Sequence, residues 1–307
     1  MKALVTGGAG FIGSNLVDYL ISSGHQVVVI DNESAECNDK FYWNESAENH
    51  KLDITDYDST RCLYDGVDVV FHLAAEARIQ PCIINPLKAV HTNMFGTATV
   101  LQCAREAGVK RVVYSSTSSA YGLANTSPLI ESMPTDCLNP YSVSKVGGEE
   151  LCKMYSKLYG MQTVIFRYFN VFGERQPFRG QYATVTGIFK RLVDSGQPLT
   201  VVGDGEQRRD FIYVGDIARA NVIAATFEPN SPFYEWGQVH NIGFGSTYSI
   251  NEIADIFGSK EVIHLPSRQG EARDNLSDCT KAKRELGWSP LVDVKDWIVN
   301  SQREKLP

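Results

Sequence analysis

The 307-residue sequence predicts an α/β protein: a doubly wound parallel sheet covered by helices on both faces, followed by a smaller mixed α/β C-terminal lobe. Three observations carry this. Short continuous runs of apolar and β-branched residues alternate with helix-length segments through the first half, as in strands buried on both faces. A glycine-rich turn joins the first strand to the first helix. After Asn170 the alternation degrades into frequent Gly and Pro, short strands and separate helices.

Taken in order, ALVT (3–6) is a buried strand and FIGSNLVDYLISSG (11–24) an amphipathic helix stopped at Gly24. QVVVID (26–31) is the second strand, and the Asn, Glu and Ser of residues 32–50 read as loop. VDVVFHLA (67–74) and RVVYSS (111–116) are further strands, with a helix from about Pro86 to Ala107 between them. A long helix over 141–160 leads into the strand QTVIFRY (162–168). Later helices fall at roughly 184–195, 214–226, 249–257 and 279–286. The domain boundary this implies is 1–170 and 171–307, with a late strand free to return to the main sheet.

Composition narrows the function. Hydrophobic residues at 43% and charged residues at 21% are those of an ordinary globular protein. The net charge of −7 without a dense Lys/Arg block speaks against a nucleic-acid surface, and an anionic ligand would need local arginines. No run reaches 18 apolar residues, so no membrane span is expected, and the chain enters a strand without a leader. Seven scattered cysteines without CxxC pairs suit the reduced thiols of a cytoplasmic protein. The six histidines show no ligand spacing, so no metal is expected.

TGGAGFIG (6–13) follows a strand and opens a helix, the context that makes a Rossmann-type dinucleotide site. Gly7, Gly10 and Gly13 fall three apart, and with Phe11 and Ile12 they bring backbone close to a pyrophosphate at a helix N-terminus. Asp31 ends the second strand, followed by Asn32, where an acid binds an adenosine ribose and repels a 2′-phosphate. The cofactor expected is therefore NAD, not NADP. Asp53 and Ile54 are placed to line the adenine. Leu73, Ala74 and Ala75 of HLAA sit at a carboxyl strand end, where small residues let a cofactor approach.

YSVSK (141–145) puts a phenol and an ammonium four residues apart on one helical face. An ammonium beside a phenol favours the phenolate and makes the phenol a usable base.

With Asn93, SSTSSAYG (115–122), RYFN (167–170) and GDGEQRRDF (203–211), these motifs make nearly the whole chain resemble the extended short-chain dehydrogenase/reductase family, in its nucleotide-sugar epimerase and dehydratase branch. The resemblance implies that Tyr141 is the catalytic base, Lys145 its cofactor-binding partner and Thr117 a residue orienting the sugar 4-oxygen. It places Asn93, Ser115 and Tyr168 around the cofactor, Tyr168 against the nicotinamide. Asn170, Arg209 and Arg268 are then the contacts of a nucleotide diphosphate, and Thr184 and Val185 lie beside uracil. Arg78, in a segment (EARIQ, 76–80) that departs from the family pattern, would reach the sugar or phosphate.

The 115–122 run separates members of this family. Sugar 4,6-dehydratases carry an Asp-Glu pair where this chain has Ser118 and Ser119, and decarboxylases usually carry Glu in place of Ser119. Hydroxyls can hydrogen-bond a sugar but cannot serve as carboxyl acids or bases. The resemblance therefore implies 4-epimerisation of a UDP-hexose through a transient 4-keto sugar, with NAD regenerated in each cycle. Asn275 occupies the position of a bulky Tyr in 4-epimerases restricted to glucose and galactose, which implies room for a 2-acetamido group, as in UDP-GlcNAc and UDP-GalNAc. A UDP-uronic acid or another nucleotide sugar remains an alternative substrate. A non-catalytic NAD-sensing regulator is an alternative of another class, which predicts a broken Tyr/Lys pair. The helices at 86–107 and 141–160 match those of a homodimer four-helix bundle in relatives.

Overall fold

A computed structural model describes residues 1–35, 38–179, 183–229, 234–259, 261–266 and 273–303. The strands of the first half are β1 (Lys2–Thr6), β2 (Gln26–Asp31), β3 (Glu48–Lys51), β4 (Val69–His72), β5 (Arg111–Thr117) and β6 (Gln162–Tyr168). Beyond them come β7 (Asn170–Phe172), β8 (Leu199–Val202), β9 (Arg208–Tyr213), β10 (Gln238–Ile242), β11 (Thr247–Ser249) and β12 (Val262–Leu265). The main sheet has seven strands in the order β10-β6-β5-β4-β1-β2-β3, all parallel. The chain winds outward from β1 to β3, crosses to β4 and winds outward again. That reversal opens a crevice at the carboxyl ends of β1 and β4, the usual ligand position in such sheets.

The late return strand is β10, so residues 238–242 belong to the main sheet. The loop expected over 32–50 is corrected at its end, where β3 pairs with β2. Its sequence, ENHK, has no apolar residue and lies at the sheet edge, so it carries no burial signal.

Helix α1 (Phe11–Ser22) follows the glycine turn, and α2 (Tyr57–Thr60) is a single turn capped by Asp56. The helix expected over 86–107 runs without a break from Pro86 to Glu106, with a π-helical turn inside it. A separate α3 (Ile79–Ile84) precedes α4 (Pro86–Val90), a π-helical turn (His91–Phe95) follows, and α5 (Gly96–Glu106) completes it. Pro86 at the start of α4 explains the break after α3, since proline disfavours helix in the residue before it. Helix α6 (Pro140–Tyr159) is the longest, starting at a capping box of Asn139 and Ser142 and ending at Gly160. The others are α7 (Val185–Asp194), α8 (Val214–Thr226), α9 (Ile250–Phe257), α10 (Thr280–Leu286) and α11 (Val294–Arg303).

One apolar core joins α1 and α8 to one face of the sheet, through Leu16, Val17, Leu20, Ile217 and Ala220. The opposite face packs on α5 and α6 through Val100, Leu101, Ala104, Cys152 and Tyr155. A third core, including Phe172, Phe189, Phe211 and Ile253, belongs to the second lobe, which holds the small sheets β11-β9-β7 and β12-β8. Among the described residues no helix is long and apolar enough to cross a membrane.

Candidate active site

A cavity of about 960 Å³ runs from the crevice into the second lobe. Its cofactor end starts at the glycine turn, where Gly7 has φ +70° and an added Cβ would meet the Ala74 nitrogen at 2.7 Å. A Cβ on Gly13 would meet the Gly7 carbonyl oxygen at 2.1 Å, so strand, turn and helix are in backbone contact. Gly10 caps α1 without any side-chain hydrogen bond, and Gly10, Phe11, Ile12 and Gly13 line the cavity. A helix start of this kind, open to an adjacent cavity, suits a pyrophosphate.

Asp31 lies at the end of β2, where its carboxylate accepts from the N–H groups of Ala9 (3.1 Å) and Glu33 (2.8 Å). Burial pushes its pKa up, and those N–H groups resist the shift. Asn32 and Ile54 join Asp31 in the wall, as do Leu73, Ala74 and Ala75 opposite Gly7. These features fit the adenosine and pyrophosphate of NAD.

Two expected cofactor contacts, Asp53 and Asn93, are not among the residues that line the cavity. Asp53 accepts from Asn32 Nδ2 at 2.8 Å and from both the N–H and the hydroxyl of Thr55. Burial works against its charge, but those bonds prevail and hold its pKa below the usual range. Asn93, 1% exposed, donates to the Glu76 carbonyl (3.1 Å) and to Ser144 Oγ (2.9 Å), and accepts from the Glu76 N–H (2.8 Å). Both of its amide protons are thus engaged within the protein, and it fastens the loop after β4 to α6.

His72, also buried, continues this support. Thr97 Oγ1 donates to the Asn93 carbonyl (2.6 Å), so it accepts from His72 Nε2 (2.9 Å), which leaves Nδ1 to accept from Thr6 Oγ1 (2.7 Å). Burial, then the Lys145 charge, lowers its pKa to about 3, so the ring is neutral.

The catalytic dyad expected from the sequence lies mid-cavity. Tyr141 and Lys145 both line it from the first turns of α6, whose start Asn139 holds by accepting from the Ser142 N–H (3.0 Å). Lys145 is 3% exposed, and its ammonium stands 4.4 Å from the centre of the Tyr114 ring. Burial lowers its pKa to about 8, resisted by neighbouring acidic groups, Glu149 among them. Thr117 ends β5, accepting from the Ser119 N–H (3.1 Å), and Ser118 and Ser119 follow in a 3-10 turn. All three line the cavity, as does Ser115. Ser115 Oγ donates to the Tyr168 hydroxyl (3.1 Å), which Asn221 also approaches (2.8 Å). Burial pushes the Tyr168 pKa up to about 12, so that wall is a neutral phenol.

The second lobe supplies the far end. Asn170 donates to the Asp210 carbonyl (2.8 Å) and to Asn275 Oδ1 (3.1 Å), which brings β7, β9 and the 275 segment together. Arg209, Thr184, Val185 and Asn275 line this end. Arg78 lines the cavity from the start of α3, and its Nε is buried without a hydrogen-bond partner among the described residues. Arg268 lies outside the described residues.

The sequence reading missed Asn139, which the NPYS stretch could have disclosed as a helix cap. It also missed Gln207 and Phe211, wall residues with no local signal. Among the described lining residues Asp31 is the one carboxylate, and no cluster of three His, Cys, Asp or Glu able to hold a metal is present among the described residues.

Known proteins share this fold. The UDP-glucose 4-epimerase of Thermotoga maritima, solved with UDP-glucose, superposes with a TM-score of 0.91 at 34% identity, covering 100% of both chains. The UDP-N-acetylglucosamine 4-epimerase of Methanobrevibacter ruminantium, solved with UDP-N-acetylmuramic acid, gives 0.88 at 31% identity over 99% of each. The UDP-glucuronate 4-epimerase of Thermodesulfobacterium geofontis is 32% identical over 99% of this chain and 96% of its own. The family model described as NAD dependent epimerase/dehydratase matches residues 3–243, and with these relatives it shows that the chain is a member of that family and an NAD-dependent isomerase.

Proposed function

We propose that the protein inverts C4 of UDP-hexoses, UDP-GlcNAc/UDP-GalNAc and UDP-Glc/UDP-Gal being the pairs it serves. The observation that carries this reading is the end of β5. Thr117, Ser118 and Ser119 line the cavity that holds Tyr141 and Lys145, and the one carboxylate among the described lining residues, Asp31, is at the cofactor end. Elimination of water would need a carboxyl acid or base beside the sugar. Epimerisation needs one proton acceptor and a hydride carrier.

NAD, when bound, supplies the hydride acceptor and donor. Tyr141 takes the 4-hydroxyl proton at its phenol oxygen and returns it to the inverted product. Lys145 supplies the neighbouring positive charge, and Thr117 donates to the 4-oxygen. Arg209, with Arg268, holds the diphosphate while the pyranose turns over, and Asn170, both of whose amide protons are engaged within the protein, positions the Asn275 segment beside it. Thr184 and Val185 flank the uracil, and Asn275 leaves room for the 2-acetamido group. Asn93 and Asp53 act through the residues they hold.

A second reading, a UDP-uronic acid, is supported by Arg78. A buried guanidinium nitrogen in the cavity wall, without a hydrogen-bond partner among the described residues, suits a sugar carboxylate. The test is proton NMR of the anomeric region after incubation with UDP-Glc, UDP-GlcNAc and UDP-glucuronate, no NAD added. UDP-Gal or UDP-GalNAc should form, and Asn275→Tyr should cut turnover of the acetylated sugar about 10–200-fold while sparing UDP-Glc. Product from the uronic acid alone would favour the second reading, and no product from any, even with NAD supplied, would overturn both.

The 1–170 segment is proposed as the cofactor domain and 171–307 as the nucleotide-sugar lobe, working in the cytosol. A homodimer is proposed through α4, the π-helical turn, α5 and α6, where Leu87 is 81% exposed, Leu158 65% and Phe95 52%. Sedimentation equilibrium should give twice the 34.1 kDa chain mass, and Leu87→Lys with Phe95→Lys should give the single-chain mass.

A further inference from the structure

Ser116, Arg167 and Asn241 stand side by side on three adjacent strands, since β5 pairs Ser116 with Arg167 of β6 and β10 pairs Asn241 with the same arginine. Glu149 of α6 drops onto this row. Its carboxylate, wholly buried, accepts from Arg167 Nε (2.8 Å) and Nη2 (2.7 Å), and from Ser116 Oγ (2.5 Å). Arg167 in turn lies 4.7 Å from the Tyr121 ring centre, and the Tyr121 hydroxyl donates to Asn241 Oδ1 (2.7 Å).

We infer that Glu149 is a positioning residue, which sets the distance between the catalytic dyad and the substrate hydroxyls at the end of β5. Tyr141, Lys145 and Glu149 recur every fourth residue along one face of α6. Ser116 immediately precedes Thr117. One carboxylate therefore binds the helix that carries the base to the strand that carries the 4-oxygen donor, one residue from that donor. A buried carboxylate with three charge-assisted bonds has little freedom, and the geometry it fixes is the one a proton transfer at about 3 Å requires. Burial of the pair for stability alone would need Arg167 only. The bond to Ser116 extends it to the reacting strand.

This inference rests on the 4-epimerase reading, and its test separates the two. Glu149→Gln leaves a buried guanidinium without its counter-charge, so Ser116→Ala carries the test: it cuts the tie to β5 and keeps the ion pair. Its kcat should fall about 10–100-fold, the loss expected from small misplacement of reacting groups. KM and bound NAD should be unchanged, with Tm within about 3 °C. Ser116→Thr, which retains the hydroxyl, should recover most of kcat. An unchanged kcat, or a loss confined to KM, overturns the inference. If the unaltered protein turned over no UDP-sugar, the functional reading would fail by itself. Amide hydrogen exchange over 115–121 would still decide this one: faster exchange in Ser116→Ala supports it, and unchanged protection overturns it.

Discussion

Tyr141→Phe should lower kcat about 10²–10⁴-fold, the range for removing a positioned general acid–base, while bound NAD and KM stay near the values of the unaltered protein. The phenol oxygen is the only atom lost, and the cavity wall around it is built from other elements: the glycine turn, the ends of β4 and β5, and the second lobe. Substrate affinity should therefore persist, because Arg209, the proposed diphosphate contact, lies on β9, apart from α6. The measurement is initial rate by anomeric NMR over a range of UDP-sugar concentrations, with NAD content read after denaturation. A kcat within tenfold of the unaltered protein would remove Tyr141 from the proton transfer. The Thr117 hydroxyl would be the group to examine next.

Parts of the site were legible because their signals are local. The glycine turn is one: Gly7 needs a positive φ and Gly13 a backbone contact, and both requirements appear as residue types six positions apart. The dyad is another, since one helical turn is enough to bring Tyr141 and Lys145 into one cavity. Asp53 and Asn93 show where local reading stops. Both lie close in sequence to wall residues, yet neither lines the cavity, and their side chains bond Asn32, Thr55, Glu76 and Ser144 instead. Strand β3 was illegible because ENHK pairs at an edge and buries almost nothing. Gln207 and Phe211 depend on how the second lobe folds over the crevice. The Glu149 tie depends on the register between β5 and β6, and no spacing within the chain encodes that register directly.

Lys145→Met should give a protein that is more stable at neutral pH and nearly inactive. Lys145 holds its proton with a pKa of about 8 in the folded state and 10.5 when unfolded, because burial penalises the ammonium. Below pH 8 both states are protonated, and the fold carries the full cost of the buried charge, about 3 kcal/mol at 1.36 kcal/mol per pH unit. Between pH 8 and 10.5 the folded state has released the proton and the unfolded state has not, so this group's contribution to stability rises with pH. Methionine fills a similar volume without a charge. The contacts of the ammonium with the Tyr114 ring offset part of the gain, leaving about 1–3 kcal/mol at pH 7 that vanishes toward pH 10.5. Denaturant unfolding should be compared on cofactor-stripped proteins, since bound NAD stabilises whichever protein retains it better. Activity should run the other way, with kcat about 10²–10⁴-fold lower because the phenolate loses its neighbouring charge. In the unaltered protein the loss of the same proton should make activity fall as pH rises through about 8, a pH–rate profile being the check, while the group's contribution to stability grows. A variant that lost stability at pH 7 would mean that the ammonium is held by favourable contacts worth more than its desolvation. A stable variant that kept its kcat would mean that Tyr141 works without the charge beside it. A buried cation retained at a net cost in stability is the mark of a group kept for its chemistry.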